Sequence, residues 1–413
     1  METEGELMGS TIGWVDFEER DRDKMLNVIR MFQEQDTRDE LGIGVIRDAL
    51  SDTLFPGTST IQTRAKYMLF IPWMYQELEQ KEVPSAEIGT KARQYEISLI
   101  RPLLESEDND GVIGQDAGSA LQRLPSNIYW AGLGRWGIRL YSGSQQDYHN
   151  YLDYFYRKKH TRVVGDDGEH IEGPLRENWD PGLPDPPEGF PNSATLKLDY
   201  QEADYLKERI LKNCKDSALS FLIAKTDPVK CNAIWEHPDL PSFPESIKKE
   251  VEHAENFSLV IHGAFLLYNY LLAKKVPSPE LIDKYHEAFR DWSDKIIANS
   301  DKLSNWDISE FWGLVKSQPG KIYPLTQKFV EKWIQLSMKT DDPISLLEDG
   351  SAEGLIKNRE LRIKKSKRAR LTNPRALELW SGASGTRRLT FRWGIVNQIV
   401  NDILEGLKRE GKE

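Results

Sequence analysis

Apolar residues recur at helical spacing along this chain, and that periodicity limits its possible folds more than any other feature of the sequence. An early stripe consists of Ile43, Ile46, Leu50 and Leu54. Its members lie three or four positions apart and mark one face of a helix, which a Pro-Gly turn at Pro56 then ends. A late stripe consists of Val396, Ile399, Val400, Ile403 and Leu407. Similar patterns fill much of the sequence between them, so we predict an all-α fold.

The longest interruption of this pattern, from 143 to 192, is polar and rich in Pro, Gly and Asp. Such a composition is typical of a long loop or a linker. The 413 residues are enough for more than one lobe with its own core. The sequence therefore predicts two helical lobes, 1–142 and 193–413, joined by this segment.

Basic residues are concentrated in one late segment, 357–393, which we call the basic module. The chain as a whole has a net charge of -11, which by itself argues against a polyanionic partner. The basic module nevertheless holds 12 of the 55 Lys and Arg residues and only 2 of the 66 Asp and Glu residues. Its densest part contains Lys364, Lys365, Lys367, Arg368 and Arg370. These charges are too many to pair locally.

Aromatic residues are interleaved with these cations at Trp380, Phe391 and Trp393. Cations bind phosphates and aromatic rings stack on bases, so the combination predicts a surface for nucleic acid. The alternative is a solvated basic face without a partner.

A second candidate site lies near Arg64 and Lys66. Ser59 and Gln62 have the spacing of a capping box, which predicts that a helix begins there. The two cations then fall in its first two turns, where the helix dipole disfavours positive charge unless an anion such as a phosphate binds the free amides. Pairing with Asp48 or Asp52 is the alternative.

A third unusual stretch is 111–141, in which a helix start is predicted at Pro125. Tyr129 and Trp130 fall on neighbouring faces of that helix, and glycines one and two turns after Trp130 would allow close approach by a flat group. The stretch predicts a stacking surface for a nucleobase. Helix packing through small residues would give the same pattern.

The two cysteines, Cys214 and Cys231, form no CxxC motif and indicate neither a disulfide framework nor a cysteine zinc site. The N-terminus lacks the basic start and apolar core of a signal peptide, and no apolar run approaches the ~20 residues of a membrane span. We therefore expect a cytoplasmic protein without a membrane partner.

Common catalytic signatures are absent from the sequence, including the P-loop, GxGxxG, HExxH and GxSxG motifs. The histidines of the polar segment also lack the i, i+4 spacing of a helical metal pair. We therefore predict neither a metal nor a cofactor. One reaction that needs neither is cleavage of an N-glycosidic bond in DNA, where a carboxylate activates water or stabilises the sugar cation.

Four long runs, 36–73, 123–139, 261–272 and 368–393, resemble one bacterial family of unknown function. They are spread over the chain and include DTRDELGIGVIRDALSDTLFPG and RLPSNIYWAGLGRWGIR. The resemblance implies an association with phage defence. It also implies an anti-phage DNA glycosylase that excises a modified base such as glucosylated hydroxymethylcytosine.

These observations predict a protein that binds phage DNA and removes a modified base. The predicted activating carboxylate is Asp36 or Asp39. The predicted DNA contacts are Arg38, Arg64, Lys66, Lys364, Lys365, Lys367, Arg368 and Arg370. The predicted stacking residues are Tyr129 and Trp130. A non-catalytic nucleic-acid-binding subunit of a defence complex is the first alternative, and a scaffold for acidic protein partners is the second.

Overall fold

The computed structural model describes residues 39–160 and 177–409, and all of the regular secondary structure in these two ranges is helical. One isolated antiparallel bridge joins Arg139 and Trp179. The prediction of an all-α fold is confirmed.

The helices of the first described range are α1 (Gly44–Leu54), α2 (Tyr67–Gln80), α3 (Ser85–Ser98), α4 (Ile100–Glu105), α5 (Pro125–Arg135) and α6 (Gln145–His160). Those of the second are α7 (Tyr200–Asn213), α8 (Ala218–Lys225), α9 (Glu245–Ala273), α10 (Pro279–Ala298), α11 (Ser300–Ser304), α12 (Ile308–Ser317), α13 (Pro324–Lys339), α14 (Gly350–Arg368), α15 (Pro374–Leu377) and α16 (Trp393–Leu407). Short 3₁₀ turns are Gly118–Ala120, Ile234–Glu236, Leu240–Ser242 and Pro343–Leu347.

These helices form two compact units, each built from separate stretches of the chain. The described residues of unit A are 44–160, 177–258, 305–323 and 389–409. Those of unit B are 39–43, 259–304 and 324–388. The described parts of the segment predicted as a linker, 143–160 and 177–192, fall inside unit A. Helix α6 occupies most of the first part because Tyr148, Leu152 and Phe155 form a buried apolar stripe.

In unit A, α16 packs against α7 and α8 through the late apolar stripe. Gly406 permits this contact, since a Cβ atom there would lie 2.6 Å from the Cβ atom of Ala203. The stripe predicted from the sequence is buried from Val396 to Ile403, as expected for a core face. In α1 the buried residues Ile46, Leu50 and Leu54 likewise confirm the early stripe.

A buried carboxylate joins α3 to the start of α5 in unit A. Glu96 accepts hydrogen bonds from the Ser126 N–H at 2.6 Å and from the Ser126 hydroxyl at 2.7 Å. It therefore satisfies an amide that has no partner within the helix at the N-terminus of α5, which begins at Pro125 as predicted. Burial raises the pKa of Glu96 to about 7, although both bonds from Ser126 lower it.

This raised pKa gives the unfolding free energy a defined pH dependence. The contribution of Glu96 is fully present below its unfolded pKa of 4.5 and is lost as pH rises through about 7, because the fold disfavours the charged form. Glu96→Gln should therefore lose less stability than the wild type between pH 5 and pH 8, by up to about 3 kcal/mol. Denaturant unfolding at both pH values measures the difference. Glu87→Gln, at an exposed position of the same helix, is the control, and parallel pH profiles for the Glu96 variant and wild type would contradict the assignment.

The core of unit B is built around Trp292 and Trp333, which are both buried. Their indole N–H groups donate to the Leu259 and Val260 carbonyls of α9 at 2.9 Å and 2.8 Å. Trp292 comes this close to α9 because Gly263 has no side chain: a Cβ atom there would lie 2.3 Å from the Trp292 ring.

Gly263→Ala should therefore destabilise the protein, although alanine normally stabilises a helix relative to glycine. We expect a loss of about 1–3 kcal/mol in unfolding free energy, because the added methyl group overpacks the core against a rigid ring. Gly354→Ala is the control, since a Cβ atom at this helical position meets nothing within 4 Å and should be neutral or stabilising. Denaturant melts of both variants give the comparison, and equal stability of the two would refute the packing argument.

Among the described residues, α9 is the one helix that is long and apolar enough to cross a membrane. Its most apolar window is 94% buried inside the protein. Such burial is typical of a central core helix.

Candidate nucleic-acid interface

Helix α14 carries the densest basic surface of unit B. Asp349 caps its start by accepting the Ser351 and Ala352 N–H groups at 2.6 Å and 2.9 Å. The exposed cations of the helix are Lys357, Arg362, Lys365, Lys367 and Arg368. The last three lie at its C-terminal end, at Lys365 and beyond it.

Two buried carboxylates, Glu40 and Glu360, lie behind this surface and are 6% and 0% exposed. Lys364 forms ion pairs with both of them, and Arg370 Nη1 lies 2.9 Å from Glu40 Oε1. The Arg370 and Leu371 N–H groups each donate to Glu360 at 2.9 Å. Burying charge costs several kcal/mol unless it is paired, so Lys364 and Arg370 neutralise the interior of unit B in this structure.

The pKa of Glu40 reflects this pairing. Burial raises the pKa, but the hydrogen bond and charge of Lys364, with help from Ser384 and Arg370, hold it below its usual value. The carboxyl group is therefore ionised at neutral pH and requires its cations.

The backbone changes direction immediately after Lys364. Lys365 has φ 58° and ψ 167°, which interrupts the helical geometry within α14. Residues other than glycine rarely adopt such backbone angles, so the surrounding contacts must hold this conformation in place. The result is that Lys364 points to buried partners while Lys365, Lys367 and Arg368 remain in solvent.

Asp39 is exposed and belongs to the same unit. Its Oδ1 accepts the Ile43 N–H at 2.8 Å. Burial lowers the pKa of Arg359 below its usual value, and the negative charge of Asp39 partly offsets this effect. The Arg359 guanidinium is fixed by the Leu41 and Gly42 carbonyls at 2.7 Å and 2.8 Å. One predicted catalytic carboxylate, Asp39, thus lies close enough to α14 for its charge to affect Arg359. The other, Asp36, and the predicted DNA contact Arg38 lie outside the described residues.

A cleft of about 510 Å³ lies between α13 and α14 in unit B. Apolar side chains form much of its lining, and Lys328, Lys332 and Arg362 add positive charge. No acidic residue of the described chain lines it. The sequence reasoning did not single out these cations, because they are scattered over two helices.

Arg64 and Lys66 lie in unit A and are buried in ion pairs. The predicted helix start at Ser59 is wrong: α2 begins at Tyr67, although the Ser59 N–H does donate to Gln62 Oε1 at 3.1 Å. Asp402 explains the difference, since its carboxylate accepts the Ala65 N–H at 2.9 Å and pairs with Arg64 at 2.9 Å. The anion expected at these amides is therefore supplied by the protein itself.

The other contacts of these two cations also lie inside unit A. Arg64 Nη2 is 2.5 Å from Asp108 Oδ2, and Lys66 forms an ion pair with Glu202. Burial lowers the pKa of Arg64, but hydrogen bonds to Asp108 and Asp402 raise it above its usual value. The role of both residues in holding phosphates stays a prediction.

Tyr129 and Trp130 also lie in unit A, where both are buried. The Tyr129 hydroxyl accepts the Thr63 N–H at 2.8 Å and donates to the Arg64 carbonyl at 2.9 Å, so it fixes the loop before α2. Trp130 is covered by the guanidinium of Arg139, 4.6 Å from the ring centre. Stacking on a base would require these contacts to open, and that role also stays a prediction.

Within residues 39–160 and 177–409, no group of three or more His, Cys, Asp or Glu side chains is arranged to hold a metal ion.

The fold and the site thus define the class of this protein: it is an all-α chain with a cationic helix that is anchored on buried carboxylates. The chain belongs to the Family of unknown function (DUF6361), whose model matches residues 9–406. No curated protein and no solved structure matches the chain. Membership of a family of unknown function, predicted from the resemblance, is confirmed, while phage defence and glycosylase activity stay predictions.

Replacing a buried cation should lower the stability of the protein far more than replacing an exposed one. Arg64→Gln leaves the Asp402 carboxylate without its cation, so we expect a loss of about 3–5 kcal/mol in unfolding free energy. Lys367→Gln is the matched exposed change and should stay within about 0.5 kcal/mol of wild type. Denaturant unfolding measures both. An Arg64 variant with wild-type stability but weakened DNA binding would instead identify Arg64 as a DNA contact.

Proposed function

We propose that this protein binds phage DNA in the bacterial cytoplasm and cleaves the N-glycosidic bond of a modified base, such as glucosylated hydroxymethylcytosine, without a cofactor. The observation that carries the proposal is the exposed cationic end of α14, which lies in the same unit as the exposed carboxylate of Asp39. The association with phage defence that the sequence resemblance implies is the basis for the choice of substrate.

DNA binding is assigned first to Lys365, Lys367 and Arg368. All three are exposed and lie at the end of α14, at the kink at Lys365 and just after it. These three residues differ from Lys364 and Arg370, which would have to leave buried carboxylates before they could contact a phosphate.

Base excision is assigned to Asp39 or Asp36. The carboxylate orients or deprotonates a water molecule, whose oxygen attacks C1′ of the sugar while the bond from C1′ to the base nitrogen breaks. The electron pair of that bond leaves with the base, which takes up a proton, and the products are a free base and an abasic site. The same carboxylate stabilises the positive charge that develops on the sugar ring.

Excision is tested by incubating the purified protein with a duplex containing glucosylated hydroxymethylcytosine and then treating it with alkali, which breaks strands at abasic sites. We expect strand breaks at the modified positions and none in the unmodified duplex. Asp39→Asn should abolish breakage if Asp39 is the activating residue, while Asp36→Asn does so if Asp36 is. The Asp39 variant keeps the oxygen that accepts the Ile43 N–H, so its fold should be preserved.

Asp341→Asn is the control for these variants, because Asp341 is an exposed carboxylate of unit B with no assigned role. DNA affinity is measured for every variant over a range of salt concentrations, since each phosphate contact contributes about -0.9 to the logarithmic slope. Intact strands together with salt-dependent binding would contradict excision and favour a non-catalytic DNA-binding subunit. Binding that hardly responds to salt would favour a scaffold for acidic proteins.

A further inference from the structure

The cleft between α13 and α14 contains positive charge without a partner. Lys328, Lys332 and Arg362 line it, and none of the three forms an ion pair with another described residue. No acidic side chain from the described part of the chain reaches the lining. Like charges around one concave surface repel each other and attract an anion, so the electrostatics of the cleft favour an anionic occupant.

The cleft also contains an apolar surface, which a simple anion would not need. Phe329, Leu336 and Leu355 contribute to the lining, and its volume of about 510 Å³ suits a small organic molecule. A purely apolar occupant would in turn leave the cations unused. The occupant must therefore combine an apolar body with at least one anionic group.

Two glycines of α14 leave a bare helix surface that fits a flat apolar group of the ligand. Gly350 and Gly354 are one helical turn apart and both line the cleft. A Cβ atom at either position would meet nothing within 4 Å, so neither glycine is required by internal packing. The bare helix surface allows a planar ring to lie against the backbone.

Polar groups suited to the edge of a planar ring are present in the same lining. Asn358 and Gln335 each offer an amide donor and an acceptor. Arg359 is held over the Phe329 ring at 5.1 Å and bonded to Thr326 Oγ1 at 3.0 Å, so this wall of the cleft is fixed before a ligand arrives. Pre-organised walls lower the entropic cost of binding.

We propose that this cleft binds a nucleoside phosphate, with the base against Gly350 and Gly354 and the phosphate between Lys328, Lys332 and Arg362. The ligand is either a free nucleotide or a nucleotide extruded from a DNA strand. This inference goes beyond the proposed function, because it requires a nucleotide pocket but no bond cleavage and does not involve Asp39.

Binding is tested by titrating the full-length protein with deoxynucleoside monophosphates in a calorimeter, alongside the corresponding nucleosides and inorganic phosphate. At least one monophosphate should bind ten-fold or more tightly than its nucleoside and than phosphate. Lys332→Gln and Arg362→Gln should each weaken that binding five- to ten-fold. Gly354→Leu should abolish it by filling the space where the base lies.

Lys339→Gln is the matched control, since Lys339 is an exposed cation of α13 that does not line the cleft, and it should bind as the wild type does. Thermal unfolding of Gly354→Leu confirms that a loss of binding is not a loss of fold. A short single-stranded oligonucleotide that competes with the monophosphate would indicate the DNA-borne ligand, and failure to compete would indicate the free one.

Equal affinity for the monophosphates and inorganic phosphate would overturn the inference, as would unchanged monophosphate binding by Gly354→Leu. Excision of modified bases without any monophosphate binding would also overturn it and would leave the proposed function intact. Monophosphate binding in a protein that excises nothing would uphold the inference and refute the proposed function.

Discussion

Buried carboxylates determine which cations of this protein are available to a partner. A carboxylate removed from water needs a positive charge close by, because the uncompensated ion would cost several kcal/mol. In unit B, Glu360 holds Lys364, and Glu40 holds both Lys364 and Arg370. In unit A, Asp402 holds Arg64. A cation in such a pair is part of the core even though it belongs to a residue type that usually lies on the surface.

The same pairing shapes the surface of α14. Immediately after Lys364, which points towards buried carboxylates, the chain turns at Lys365, whose φ of 58° lies far from helical values. The turn leaves Lys365, Lys367 and Arg368 exposed at the end of the helix. The acidic interior and the basic exterior of this helix are thus two consequences of one arrangement, and a surface fixed in this way is well suited to a rigid polyanion such as duplex DNA.

Unit B has two separate places where anions are favoured, and they differ in chemistry. The end of α14 presents charge alone, which suits the repeating phosphates of a nucleic acid backbone. The cleft beside α13 adds an apolar surface and two glycines, which suits a single base with its phosphate. Membership of a family of unknown function assigns neither role. The excision proposal depends on Asp36 or Asp39 and the nucleotide inference on Gly354, so the two stand on different residues.

The sequence by itself determined the all-α class, the helix start at Pro125 and the buried faces of α1 and α16, because apolar spacing is a local property that a helix translates directly into one face. The partners of charged residues were decided only by tertiary structure. Arg64 meets Asp402 from the far end of the chain, and Lys364 meets Glu40. Even the i, i+4 pair of Glu360 and Lys364, which spacing on a helix could have indicated, is buried for reasons that only the packing shows. The pairs of Arg64 with Asp402 and of Lys364 with Glu40 join residues hundreds of positions apart, and local patterns do not identify such partners.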